Sequence, residues 1–494
     1  MGNPETPLFT TPEWVKDAVF YQIFPDRFAR SEAAAKPRNL EPWDSPPTEY
    51  GFKGGDLLGA AERLDYLQDL GINAIYLNPV FQSTANHRYH THDYYHVDPM
   101  LGGDAALHQL LEQAHRRGMH VILDGVFNHA SRGFFQFNHI LENGAASPYL
   151  DWFTVTGWPL YAYDAHHKPN YLAWWGLHAL PKFNTNSPDV REFLWDVARH
   201  WVEQGTDGWR LDVPGEIADD GFWREFRQRV KQANPQAYIT GEVWTDARRW
   251  LQGDQFDAVT NYLFAKACLS FFAGRSLNLG LASGLGYAPV QPIAAEGFAA
   301  AVDDLLALYP WQVTQVLMNV IDSHDTARFL TLARGDESAL RLAWLFMMCY
   351  PGAPCIYYGD ETGMEGGKDP DCRRAFQWDE RRWNTGLLDY LKSCIALRKA
   401  HPALRRGEFQ RLLAQGDIYA FGRRLGDETL IVVLNAGQDA WELRVPVDAF
   451  LDKRAILQGV WKEGKARVKD GILTGPSVAA RSGLVLEVVS PGAS

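Results

Sequence analysis

The chain has 494 residues, 46% of them hydrophobic and 22% charged, with a formal net charge of −12 at pH 7. This balance excludes a disordered chain and argues against nucleic acid or anionic membrane as a partner, and no apolar run of about 18 residues is present that could cross a bilayer. Five cysteines (Cys268, Cys349, Cys355, Cys372 and Cys394) without a CxxC pair read as free thiols, not as a disulfide framework or a thiolate zinc site.

The N-terminal MGNPETPLFTTPEW lacks a basic-then-apolar export signal, so a complete sequence is expected in the cytoplasm. Runs at 18–24 and 72–81 then read as strands. Leu107, Leu110, Leu111 and Ala114 follow helical spacing, Gly118 supplies a stop, and 120–127 is a buried strand. Between 130 and 187 the gap exceeds what one connecting helix needs, which predicts an insertion over the mouth of the fold. It carries Phe134, Phe135, Trp152, Trp158, Tyr161, Tyr163, Tyr171, Trp174 and Trp175, rings that either pack the insertion or line a groove. Flat rings beside carboxylates suit a sugar-binding surface, and the bland alternative is an aromatic core.

Ser187-Pro188 opens a helix with apolar positions Val190, Phe193, Leu194, Val197 and Trp201, followed by a strand at 207–213. A further helix near Phe222 to Val230 leads into a strand at 237–244, and 258–264, 314–321 and 354–360 complete eight. The Gly/Ala-rich stretch 272–300 reads as a loop. Eight strands with helices between them predict an α/β fold, a (β/α)8 TIM barrel formed by residues 1–129 and 188–402, with 130–187 as the inserted domain after the third strand. After His401-Pro402 the pattern changes to alternation with tight-turn signals, which predicts a C-terminal antiparallel β-sandwich over 403–494.

Asp124, Asp212, Glu242 and Asp325 each close a strand-like run, in VILDGVFNH, GWRLDVPGE, YITGEVW and MNVIDSHDTAR. A buried carboxylate is costly, so four at strand ends point to one polar centre. Asp212 and Glu242 are 30 residues apart, the length of one βαβ repeat, which puts them on neighbouring strands. Arg210, two residues before Asp212, shares its strand face and would keep it ionised.

Together Asp124 to His129, Gly208 to Glu216, Gly241 to Trp244 and Asn319 to Asp325 resemble the signature blocks of the α-amylase family of glycoside hydrolases, and Leu180-Pro-Lys-Phe-Asn184 resembles a block of its neopullulanase and cyclomaltodextrinase branch. The resemblance implies a retaining hydrolase of α-1,4-glucosidic bonds in maltooligosaccharides, cyclodextrins, pullulan or starch fragments. Asp212 is then nucleophile, Glu242 acid/base and Asp325 a third carboxylate that holds sugar hydroxyls. Glu242 needs a raised pKa, which a neighbouring carboxylate and an apolar wall at Trp244 would supply. The resemblance further assigns His87, Tyr89, His129, Arg210, His324, Asp369 and Arg373 to substrate binding. A neutral α-glucan is the expected partner, with monomer or homo-oligomer left open. Transglycosylation, or an inactive sugar-binding barrel, stay as alternatives.

The chemistry requires no cofactor. Asn128 is left as a candidate ligand for a structural calcium, although the family's histidine ligand is missing and Glu216 stands in its place. The cluster His87, His90, His92, Asp93 and His96 lies in a loop-like segment and is read as something other than zinc. The branch's N-terminal β-sandwich is not found ahead of the barrel, so a more open cleft is expected.

Overall fold

The computed structural model describes residues 10–489. Eight parallel strands close into a barrel: β1 (Phe20–Ile23), β2 (Ala74–Leu77), β3 (His120–Gly125), β4 (Gly208–Leu211), β5 (Tyr238–Gly241), β6 (Ala258–Asn261), β7 (Met318–Asn319) and β8 (Ala353–Tyr357). Every strand sits between its sequence neighbours around the ring. Nearly every strand residue is buried, because a parallel strand is covered on both faces; the apolar runs in the sequence follow from that. The described residues fall into two compact units. One is built from Phe20–Thr260 with Arg373–Phe376, the other from Glu13–Val19, Asn261–Cys372 and the chain from Gln377 on.

In the first unit, helix α1 (Gly103–Arg116) buries Leu107, Leu110, Leu111 and Ala114. Helix α2 (Pro188–Glu203) starts on its N1 proline and buries Val190, Leu194, Val197 and Trp201, each worth about 1.5–3 kcal/mol on the usual scale for large apolar side chains. Helix α3 (Asp220–Ala233) is capped by Asp219, whose carboxylate accepts from Phe222 N–H. Gly208 opens β4 at φ +145°, and a Cβ there would meet the Tyr238 carbonyl oxygen at 2.0 Å. Glycine therefore lets β4 and β5 pair in register, Gly208 against Tyr238 and Leu211 against Gly241, so that Asp212 and Glu242 leave the sheet side by side.

The segment read as a loop around His92 is instead a hairpin, Phe81–Ser83 against Thr91–Val97. Within Thr91–Val97 the residues Thr91, Tyr94 and Val97 are buried and the polar ones between them are partly or fully exposed. The insertion has its own aromatic core: Phe134, Phe137, Phe153, Tyr171 and Phe183 pack edge-on or stacked. Its return segment is zipped onto the chain that leaves β3, with Ala130 N–H donating to Pro181 O, Arg132 N–H to Ala179 O and Phe183 N–H to Asn128 O.

From β6 onward the structure departs from the sequence pattern at two places. The run 258–264 is strand only to Asn261, whose side chain caps a helix from Tyr262 by accepting from Phe264 N–H. The stretch 272–300 is not a plain loop: Leu279–Ala282 is a helical turn, and the alanines after Ala294 start the helix Ala295–Leu308, as expected of the strongest helix former. All five cysteines are buried thiols outside any disulfide. Beyond His401, eight strands hydrogen-bond into one antiparallel sheet whose first strand, Glu408–Gln415, comes against Arg444–Pro446 at the other end of the order. The sheet thus folds over a core of Ile431, Val433, Val445, Leu457, Leu473 and Leu486.

Candidate active site

Arg210 is the centre of the first unit's polar cluster. Projecting from β4, it is almost fully buried and its guanidinium faces three carboxylates. Nη1 lies 3.0 and 3.1 Å from the two oxygens of Asp124 and 3.4 Å from Asp212 Oδ1, and Nη2 lies 3.2 Å from Glu242 Oε2. One planar fork thus reaches both residues proposed for bond cleavage. Burial works against the Arg210 charge, yet Asp124 and Glu242 hold its pKa well up.

Asp124 ties this centre to β2. Its Oδ2 accepts from Tyr76 Oη at 2.5 Å and Tyr89 Oη at 2.9 Å, and Asn78 Nδ2 reaches Tyr89 Oη at 3.1 Å. Gln22 on β1 donates to Asn78 Oδ1 at 2.9 Å. Burial pushes the Asp124 carboxyl up, with Arg210 opposing it. Tyr76, Asn78 and Gln22 are not among the sequence candidates. The signal for them is Tyr76 and Asn78 two residues apart at a strand end, and therefore on one face.

Glu242 accepts two hydrogen bonds besides its contact with Arg210. Trp244 Nε1–H donates to Oε1 at 3.0 Å, so the ring expected as an apolar wall is a hydrogen-bond donor. Val213 N–H donates to Oε2 at 3.1 Å. Val213 sits at φ +35°, ψ +50°, a left-handed conformation that is an outlier for a β-branched residue, directly after Asp212. Strain of this kind collects at functional sites, and here it turns one amide toward a carboxylate.

Tyr89 N–H donates to His87 Nδ1 at 3.1 Å, and their rings lie 5.7 Å apart. His129 is buried and stacks on Trp174 at 5.1 Å and 11°. Asn128 Nδ2 lies 3.2 Å from its Nδ1. Burial drives the His129 pKa down to about 3 and that of His90 down to about 4, so both rings are neutral at ordinary pH. Arg373 lies over the Phe24 ring at 5.4 Å.

In the second unit, His324 Nε2 is 3.2 Å from Asp325 Oδ2, and the His324 carbonyl accepts from Cys372 Sγ. Upstream, Asp322 Oδ2 accepts from Phe329 N–H at 2.6 Å, and Arg328 Nη1 donates to Asp360 Oδ1 at 2.7 Å. Burial pushes both of these carboxyls up. Asp369 belongs to this unit, in the segment leading to Arg373.

Residues 22–399 match the model described as alpha amylase, catalytic domain, and residues 409–486 match that of the neopullulanase-like C-terminal domain. The chain belongs to the α-amylase family of glycoside hydrolases. A cyclomaltodextrinase of Geobacillus thermopakistaniensis is 44% identical over 90% of this chain and 72% of its own length. A solved structure from Thermus thermophilus is 49% identical, covers 96% of this chain and 100% of its own, and superposes with a TM-score of 0.93. The Nostoc punctiforme debranching enzyme is 49% identical, with 97% and 99% covered and a TM-score of 0.89.

The α-amylase-family reading leaves calcium to be tested against the donor atoms. Asn128 offers one buried, unpartnered Oδ1, but Glu216 is held by Lys182 Nζ at 2.9 Å. Calcium takes six to eight oxygens, usually with carboxylates. These residues do not make that set. Among the described residues, a set of at least three His, Cys, Asp or Glu side chains spaced for a metal occurs at His401, Glu428 and Glu487, and the His87 to His96 cluster does not form one. No helix among the described residues is long and apolar enough to cross a membrane.

Proposed function

We propose that the chain hydrolyses α-1,4-glucosidic bonds of maltooligosaccharides, cyclodextrins, pullulan or starch fragments with retention at the anomeric carbon. The observation that carries this reading is the single guanidinium of Arg210 in contact with both Asp212 and Glu242. Two carboxyl groups held that near each other suit double displacement, in which the pair stands about 5–5.5 Å apart.

Asp212 Oδ attacks the anomeric carbon while Glu242 passes its proton to the leaving glycosidic oxygen; the resulting glycosyl ester is then opened by water that Glu242 deprotonates. Arg210, in contact with Asp212, favours the carboxylate both as the attacking group and as the group released when water opens the ester. The Trp244 and Val213 donors fix the Glu242 carboxyl group in place. Motif position gives Asp325, beside His324, the part of gripping sugar hydroxyls as the ring flattens, and gives His87, Tyr89, His129, Asp369 and Arg373 contacts with the glycone. The names of the relatives, a cyclomaltodextrinase and a debranching enzyme among them, support an α-glucan substrate. Five buried cysteines, all outside any disulfide, support a reducing, cytoplasmic setting.

Proton NMR of the first product formed from maltotriose tests the reading. The α-anomer is expected before mutarotation; initial release of the β-anomer would exclude the double displacement.

A further inference from the structure

The insertion presents one tryptophan whose outer face is left open. Trp175 is 80% exposed, the highest value among its tryptophans, while its inner face stacks on Trp174 at 4.6 Å and 14°. Trp174 in turn stacks on His129. Three parallel rings therefore run from the buried histidine at the exit of β3 to open solvent.

The stack is held in place by backbone. Trp174 N–H donates to Leu180 O at 3.0 Å, Ala173 pairs with Pro181, and His129 pairs with Lys182. Lys182 is clamped to Glu216 in the turn after β4. Trp175 itself adopts φ +50°, ψ +19°, and Gly176 follows at φ +70°. A bulky residue in the left-handed region is a genuine outlier. Folding alone would be served better by glycine or asparagine there, with no large apolar ring in water. Strain that holds an indole flat, outward and rigid is what a stacking platform needs, since little rotamer freedom remains to be lost on binding.

We propose that the outer face of Trp175 is a binding subsite for a glucose ring of an α-glucan chain, and that the Trp174 stack fixes its distance and tilt relative to His129. The proposal rests on the α-glucan reading above and deepens it. The occupant is a neutral sugar: pyranose C–H faces stack on indole, and the −12 chain offers anionic partners no advantage. Continuity of the ring stack with His129 makes a glucan already seated at the glycone site the chain that reaches it.

Trp175→Gly tests this directly, because glycine takes φ +50° without strain and the fold is expected to survive. Trp175→Phe restores a ring. With maltoheptaose, Trp175→Gly is expected to raise KM about threefold to tenfold, within what an aromatic contact supplies, with kcat the smaller change and Phe recovering most of the loss. Maltotriose should show a smaller KM effect. A KM for maltoheptaose within about twofold of wild type, or a fall in kcat at constant KM, overturns the subsite. Titration of maltoheptaose against the tryptophan fluorescence of each protein, both carrying Glu242→Gln so that the chain is not split, decides the point without turnover. If the wild type splits no α-glucan, the hydrolase reading fails, yet weaker maltoheptaose binding by Trp175→Gly still upholds the platform; equal binding removes it.

Discussion

Arg210→Met removes the guanidinium that faces Asp124, Asp212 and Glu242 while keeping most of the side-chain volume. Stranding a buried carboxylate by deleting its cation costs about 3–5 kcal/mol. Asp124 retains the Tyr76 and Tyr89 hydroxyl donors, which places the loss near the lower end, about 3 kcal/mol at pH 7. Urea unfolding of wild type and variant between pH 5 and 8 measures it. Burial already raises the Asp124 pKa in the folded protein, and the variant raises it further. Between the unfolded and folded pKa values the native state holds a proton that the unfolded chain has released, so stability falls as pH rises through that window. The difference between the two proteins should therefore shrink toward pH 5. A difference below about 1 kcal/mol, or one that does not change with pH, would refute the argument that Arg210 neutralises Asp124. Arg210→Lys should not restore activity, because a point charge cannot replace a fork that meets three acids.

Glu242→Gln should lower reducing-sugar release from maltoheptaose by about 10²–10⁴-fold, and hydrolysis of α-maltosyl fluoride, whose leaving group needs no proton, should fall less. Val213→Gly relieves a left-handed β-branched residue but loosens the unfolded chain, so unfolding free energy should stay within about 1 kcal/mol of wild type while kcat is retained; a large drop in kcat would mean that the side chain, not the amide facing Glu242, matters. His129 and His90 stay neutral down to about 3 and about 4, whereas unfolded histidines take up protons near 6.5. The unfolded state thus binds more protons, and the melting temperature should fall as pH drops from about 7 to about 4.5, less steeply in His129→Gln.

The barrel was legible because each parallel strand is covered on both faces and so appears as an apolar run, and because Asp212 and Glu242 repeat at βαβ spacing. Boundaries were harder where a side chain ends an element: Asn261 caps a helix inside what reads as one strand. The hairpin around His92 was hidden because its polar residues do not follow a two-residue alternation. At the site, the pairing of Arg210 with Asp212 could be read from two-residue spacing. Its reach to Glu242 and to Asp124, and the Trp244 donor, depend on how neighbouring strands register, which no local pattern encodes. Nor does any sequence pattern reveal that Val213 and Trp175 adopt left-handed backbone conformations.

All five cysteines lie in the second unit and are buried, and burial lifts their pKa values where a shift is seen, that of Cys349 to about 12. A native molecule should therefore resist iodoacetamide, since neither access nor thiolate is available. Alkylation then becomes a clock for opening of that unit alone. Timed against the total tryptophan signal, which both units carry, it would tell whether the second unit opens before the polypeptide unfolds as a whole.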